Sequence, residues 1–384
     1  IFGWAPFYSY INVLKTKMIT VAISLSNHDL SITILKNEKL ITILEEDRAS
    51  RIKHDGIFPL KSIFKIKNFT TYIDELVLIN IPLLYDIIIE FLQKEKIKIK
   101  KITKYPNTYH HIFHASSGFY GSGFKDATCL TIDSYGGNFI IDPIYDKEGK
   151  GVHTTNIYQV TSTSNFVLKY ANIFYNPTVT TPYDIDFLSF NKNIEINNSL
   201  DIGMIYDAIS RYVGFNTLEA GKTMGLSSYG KNNPLIPPFL YKDTVYSNMN
   251  LFKGNRSLNI KLNPEIINNP SIPSQDLAYK AQQTLEEVFI KRIKQSLSLS
   301  PNNNIVISGG CALNVVNNYK LKKKFPHINF YFDPIGGDIG QSYGAAKYHY
   351  YQLTNSLKLE SLKHLYHGPR YSKEDLLNSI KKYV

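Results

Sequence analysis

A chain of 384 residues, 43% hydrophobic and 20% charged, can bury a sizeable core and suits two lobes of roughly 150 residues each. Lys and Arg number 43 against 32 Asp and Glu, a net charge of +11. The lysines are spread through mixed segments, which argues for a lysine-rich surface over a nucleic-acid partner. Cys129 and Cys311 are too few for a disulfide framework and sit in apolar runs, as in a reducing cytoplasmic protein. The most apolar region, 72–92, is broken by Asp74, Glu75, Asp86 and Glu90, so no membrane span is expected.

The chain opens on Ile1, and Met18 directly precedes the first strand. Residues 1–17 lack the basic, apolar and small-residue order of a signal peptide and read as upstream sequence or a fragment end. A first lobe is expected over 18–125. It begins with strands at 19–26, 30–35 and 39–44, separated by the polar turns Asn27-His28-Asp29 and Lys36-Asn37-Glu38. A charged block over 45–59 follows. Residues 82–95 form an amphipathic helix with Pro82 at an early position, and the lysine run 94–104 alternates with isoleucine as a strand does. The strand-turn-strand pattern recurs from Ala127: a strand to Ile132, the turn 133–137, a strand over 138–145, the turn 146–149, and a strand ending near Val160. Two copies indicate a duplicated lobe, the second spanning 126–352.

Within that second lobe, 231–272 is rich in Asn, Pro and Ser and reads as a surface insertion. Residues 274–297 form a long helix with Leu277, Ala281, Leu285, Val288 and Phe289 on one stripe. The last third alternates strand, glycine turn and helix, with strands at 304–307 and 328–332. That alternation predicts parallel strands with ligand-facing loops at their carboxyl ends. The class is α/β, with two related lobes and a cleft between them.

Three groups carry chemistry. His110 and His114, at i and i+4 of one helix, place two imidazoles about 6 Å apart on one face. Asp133 ends a strand and Asp338 lies in a glycine-rich turn; each alone reads equally as a turn former or a cap. Together the four would suit Fe(II), Mn or Zn. The turns Ser308-Gly309-Gly310, with Asn314 after them, and Gly336-Gly337-Asp338 let backbone N–H groups approach a phosphate, and Gly221-Lys222 offers a cation. No Walker A spacing surrounds Gly221. The third group is the 45–59 block. Either it is a charged loop, or its Lys53 and His54 line an anionic-ligand site with His28 and Asp29.

Seven motifs stand in order across residues 26–346. They are Ser26-Asn27-His28-Asp29-Leu30-Ser31, the 45–59 block, His110-His111-Ile112-Phe113-His114-Ala115 and Ile132-Asp133-Ser134-Tyr135-Gly136. Three more follow: 221–230, Ser308-Gly309-Gly310-Cys311-Ala312-Leu313-Asn314, and Gly337-Asp338-Ile339-Gly340 with Gly344-Ala345-Ala346. This set resembles the nodulation-protein and cephem O-carbamoyltransferase family (NodU/CmcH). The resemblance implies an actin-like (ASKHA) transfer domain that passes a carbamoyl group from carbamoyl-adenylate, made from ATP, to a hydroxyl of a sugar or antibiotic-like acceptor. It implies a divalent metal on His110, His114, Asp133 and Asp338, and nucleotide loops at Gly221, Lys222, Gly309, Gly310, Asn314 and Gly337. His28 is the expected general base, and a homodimer is compatible with the pattern. Leu30 and Ser134 depart from the family's usual small hydroxyl residue and glycine. Residues 353–384 read as a linker and the opening of a truncated YrdC-like second domain. A tRNA threonylcarbamoyl transferase and a non-catalytic nucleotide-binding remnant are the competing readings.

Overall fold

A computed structural model describes residues 17–26, 28–56, 58–141, 149–161, 165–176, 194–253, 260–355, 360–368 and 371–381. The expectation for residues 1–17 falls almost wholly outside these, as do Asn27, the strand end and turn at 142–148, and Pro369.

The first sheet contains β1 (Ile19–Ser24), β2 (Ser31–Lys36), β3 (Lys39–Glu45), β4 (Tyr72–Ile79) and β5 (Lys98–Lys104), in the order β3-β2-β1-β4-β5. β1, β2 and β3 form an antiparallel meander; β4 joins β1 in parallel, and β5 joins β4. The helices α1 (Glu46–Ser50), α2 (Leu60–Ile66), α3 (Tyr85–Lys94) and α4 (His110–Ser122) connect these strands and lead out of them.

The second sheet repeats the plan. It holds β6 (Ala127–Ile132), β7 (Asn138–Ile141), β8 (Gly149–Val160), β9 (Phe166–Asn176) and β10 (Ile194–Asn197). Next come α5 (Ile202–Tyr212), α6 (Ala220–Leu226), the small pair β11 (Phe252–Lys253) and β12 (Lys261–Leu262), α7 (Pro264–Ile267) and α8 (Ser274–Leu299). The chain then runs through β13 (Asn304–Ser308), α9 (Val315–Lys324), β14 (Asn329–Phe332), α10 (Ile339–Thr354) and α11 (Lys373–Ile380). Within the order β10-β9-β8-β6-β13-β14, the five strands β9-β8-β6-β13-β14 match the first sheet's β3-β2-β1-β4-β5, antiparallel through β6, β8 and β9 and parallel through β6, β13 and β14, and β10 adds an edge strand parallel to β9. This is the duplicated, actin-like α/β architecture.

Two expectations need correction. Residues 138–145 were expected as the second strand of the copy, but β7 pairs with β8 and is off the main path. The 12-residue β8 gives its second half to β6 and its first half to β7, so β8 is the counterpart of β2. A short alternating run after a polar turn signals a hairpin but says nothing about which long strand claims it. Residues 231–272 are also more than a surface insertion. Ile236, Phe239, Leu251, Phe252, Leu262 and Ile272 are buried in the second lobe's core, their spacing hidden by the Asn, Pro and Ser around them.

Alternation along the strands explains the layers. In the first sheet Val21, Ile23, Leu76 and Leu78 face α2 and α3, whereas Ala22, Val77 and Ile79 face inward. In the second, Leu130, Ile132, Ile305 and Ile307 face α5 and α8, and Ala127, Cys129 and Val306 face inward. The inner faces enclose α4 and α10, and these two helices exchange lobes. α4 leaves the first sheet but packs on β6, β8 and β13; α10 leaves the second sheet but packs on β1, β2 and β4. Ser31 Oγ donates to the Ile339 carbonyl (2.7 Å), and His349 Nε2 lies 3.1 Å from Glu75. A division at residue 125 by chain order therefore differs from the division by packing.

Past α10, the Ile43 amide and Thr42 hydroxyl both donate to the His367 carbonyl, which ties that segment to β3. α11 buries none of its residues.

The crossing of α4 and α10 leaves no room for a side chain at Gly344, where a Cβ would lie 1.9 Å from the Phe113 carbonyl oxygen. Gly344→Val should cost roughly 3 kcal/mol or more. A denaturant midpoint equal to that of the unmodified protein would show that the crossing has slack.

Candidate metal centre

Side chains from the carboxyl ends of both sheets' parallel strands meet in one cavity of about 490 Å³. Ser26 and His28 follow β1, Asn80 follows β4, Asp133 follows β6, Gly310 follows β13, and Gly337 and Asp338 follow β14; all line it. His110 comes from the start of α4, and His114 lies one turn on, fully buried behind it.

One ligand atom from each of His110, His114, Asp133 and Asp338 lies within 4.8 Å of the others. His110 Nε2 and His114 Nε2 are 3.2 Å apart. Asp133 Oδ2 lies 3.4 Å from His110 Nε2 and 3.5 Å from His114 Nε2; Asp338 Oδ1 lies 3.7 and 3.4 Å from them. Donors ~2.1 Å from one shared ion stand roughly 3.0–3.6 Å apart. The spacing of these pairs is therefore close to that of donors around a divalent cation. The second oxygen of each carboxylate is held elsewhere. Asp133 Oδ1 accepts from the Ser134 amide (2.8 Å), and Asp338 Oδ2 accepts from the Ser26 hydroxyl (3.0 Å). The Ser134 contact uses only backbone, so its departure from glycine leaves this bond unaffected.

The electrostatics favour ionised carboxylates. Burial opposes charge on Asp133 and Asp338, but hydrogen bonds and charges from the two histidines hold both below the usual carboxylate range. Burial likewise opposes charge on His114 and His28. Hydrogen bonds to Asp133 and Asp338 nonetheless lift His114 to about 9, and the Asp29 hydrogen bond with the Asp338 charge lifts His28 to about 9.

Asp29 sits between two imidazoles, 2.9 Å from His28 Nδ1 and 2.7 Å from His54 Nδ1. It adopts φ 57 to do so, a left-handed conformation that Asp tolerates. All three line the cavity. Lys53 is exposed and outside the lining. In the same block Glu46 is buried and accepts from the Lys61 and Ser62 amides, holding the start of α2.

The expected nucleotide residues divide. Gly221, Gly310, Asn314 and Gly337 line the cavity. Gly309, with φ 85, supports the turn from behind, because a Cβ would lie 2.3 Å from the Ile132 carbonyl oxygen. Asn314 is committed to structure: its Oδ1 accepts from the Asn317 amide, and its amide pairs with Gln282. Lys222 does not reach the cavity. Its ammonium is 2.6 Å from Glu219 and its side chain is 55% exposed, since residue 222 turns outward on α6 when Gly221 faces in.

Three residues near the centre were not anticipated. Gln341 is fully buried against His110, His114 and Asp338, Asn80 holds its other end, and Asp207 of α5 lines the cavity with its carboxyl raised by burial. The i+3 spacing from Asp338 could have marked Gln341. Cys311 also lines the cavity, but burial raises its thiol well above the ordinary value, which keeps it neutral.

Fold and site together define a two-lobed α/β domain with two histidines and two aspartates gathered in its cleft, a group that could hold a metal ion. The chain belongs to the family described as Carbamoyltransferase N-terminus, whose profile matches residues 65–347. It is similar to nodulation protein NolNO of Sinorhizobium fredii, 22% identical over 376 residues, covering 89% of this chain and 49% of that protein. An uncharacterized Methanocaldococcus jannaschii protein is 25% identical over 282 residues, covering 71% of this chain and 42% of the relative. The chain thus spans about half the length of these relatives. Among solved structures, HypF of T. kodakarensis matches with TM-score 0.48 and 10% identity, covering 88% of this chain and 48% of that one. The activator of the 2-hydroxyisocaproyl-CoA dehydratase from Clostridium difficile, with bound ADPNP, matches with TM-score 0.45 and 11% identity, covering 87% and 95%. No described helix is long and apolar enough to cross a membrane.

A cation held by this cluster would compete with a proton for His114 Nε2. Mn(II) affinity should therefore strengthen as pH rises from about 6.5 to about 9 and level off above. The cation-free protein should lose stability over the same window. A histidine with a raised pKa stabilises fully below its unfolded value and loses that contribution as pH rises through its folded one. Calorimetric titrations showing affinity independent of pH would remove His114 from the centre.

Proposed function

We propose that this chain transfers a carbamoyl group from carbamoyl-adenylate to a hydroxyl of a small-molecule acceptor, using a divalent cation held by His110, His114, Asp133 and Asp338. The observation that supports this most is the placement of all four ligands in or behind one cavity that two glycine turns also enter. Gly221 and Gly337 have no neighbour closer than 3.8 Å where a Cβ would stand, so a phosphate can approach the backbone there.

The reaction is an acyl transfer. The acceptor oxygen bonds to the carbamoyl carbon, the bond from that carbon to the phosphate oxygen breaks, and AMP leaves. A bound divalent cation supplies charge that stabilises the developing oxyanion and offsets the carboxylates that raise His28. His28 Nε2 takes the hydroxyl proton. Asp29 accepts from His28 Nδ1 and fixes the tautomer, and His54 holds Asp29 from its far side. His28 Nε2 also stands 3.8 Å from Asp338 Oδ2, which supports a base acting beside the centre. Lys53 and Lys222 have no part in this step.

With carbamoyl-adenylate supplied, AMP release in the presence of sugar or antibiotic-like alcohols should require a divalent cation. It should fall by roughly 10²-fold or more in His28→Ala. Gly221→Val should lose adenylate binding while keeping full metal stoichiometry by elemental analysis. Carbamate product formed at an undiminished rate after chelation would overturn the proposal.

A further inference from the structure

We propose that Gln341 is a fifth group facing the cation, and that its amide turns to present Oε1 to the centre when the cation is bound, with Asn80 turning in register. The proposal rests on the reading that His110, His114, Asp133 and Asp338 hold a divalent ion.

Gln341 follows Asp338 by three residues on α10 and is wholly buried. Its Nε2 is 2.9 Å from both His110 ring nitrogens, 3.0 Å from His114 Nε2 and 2.9 Å from Asp338 Oδ1. A neutral imidazole offers one lone pair and a protonated one none, so these close contacts of an N–H donor cannot all be hydrogen bonds. Asp338 Oδ1 and the Nε2 lone pairs of the deprotonated histidines are also the pairs a metal ion would use. With those pairs committed to a cation, an N–H pair at this position aims its positive end at positive charge. The carbonyl oxygen at the same place reverses that interaction, and amide oxygen is a normal ligand for hard and borderline divalent ions.

The far end of the side chain allows the turn. Asn80 Nδ2 donates to Gln341 Oε1 (2.9 Å) and to Ser24 Oγ (3.1 Å). If both amides rotate by half a turn, Gln341 Nε2 donates to Asn80 Oδ1, and the Ser24 hydroxyl donates to that same oxygen. The hydroxyl can serve as donor or acceptor, so the chain is complete in either state. Asn80 has φ 80, a left-handed conformation at the end of β4 that few residues other than glycine and asparagine take readily. That backbone geometry aims a reversible amide between the first sheet and the centre.

Cobalt(II) alone, without nucleotide, tests this, because its visible bands weaken as coordination number rises from four to five. The unmodified protein should bind one ion with weak, five-coordinate bands. Gln341→Leu should still bind one ion, with affinity roughly tenfold or more weaker and the intense bands of a four-coordinate site. Asn80→Asp can only accept, so it fixes Gln341 with Nε2 outward and Oε1 inward. Its affinity should equal or exceed the unmodified protein's, with unchanged bands. Unchanged affinity and spectrum in Gln341→Leu would overturn the ligand role. Affinity lost in Asn80→Asp would show that the inward N–H is what matters, and would overturn the turn. No cobalt on the unmodified protein would instead sink the four-ligand centre, and this proposal with it.

Discussion

Gly344 has no side chain because the backbones of α4 and α10 touch where they cross, and that contact sets the distance on which the cluster depends. His110 and His114 belong to one helix; Asp338 and Gln341 stand at the start of the other. A neighbouring hydrogen bond, Ser116 Oγ to the Gly344 carbonyl (2.8 Å), locks the crossing. Small residues line the crossing: Ser116 and Ser117 on α4, with Gly340 and Gly344 on α10. Larger ones would separate the helices by ångströms, and ligands 3.2–3.7 Å apart tolerate little of that.

Exchange of the two helices between lobes also decides how the centre is held. Asp338 is bonded to Ser26 and stands beside His28, both on the first lobe, whereas Asp133 is bonded within the second. A cation between them would therefore bridge the lobes. The cleft is then more than a space between two domains, because its floor is made by elements each lobe has lent to the other.

Much of this was legible in the sequence because the signals were local. The i, i+4 histidines need only helical periodicity, and glycine turns after apolar strands announce loops at a sheet edge. The strand pairing was less legible. β7 reads like a second strand, and only the length of β8 shows that one strand serves two partners on one edge. Lys222 and Gly221 illustrate another limit. Adjacent residues in a motif invite one role, yet on α6 they point apart, and the lysine turns to Glu219. Gln341 and Asn80 were missed because an amide is ambiguous in sequence. Gln341 had only its spacing from Asp338 to mark it, and Asn80 had no local pattern, since its place depends on a contact across 261 residues.

The two constellations that looked separable in the sequence adjoin in space. A Cβ on Gly310 would lie 3.1 Å from Asp133 Oδ1, so the Gly309-Gly310 turn and Asp133 are neighbours. A bulky residue at 310 would press on the centre as well as on a nucleotide, whereas Gly221 and Gly337 stand clear of it. Charge couples them further. Without a cation, the negative charge of Asp133 and Asp338 is met by protons on His114 and His28. On the proposed reading, loading the cation displaces the proton of His114 outright and weakens the hold on that of His28. The same exchange that builds the electrophilic site thus frees the base beside it, and a site lacking its cation keeps His28 protonated and unable to accept the acceptor's proton.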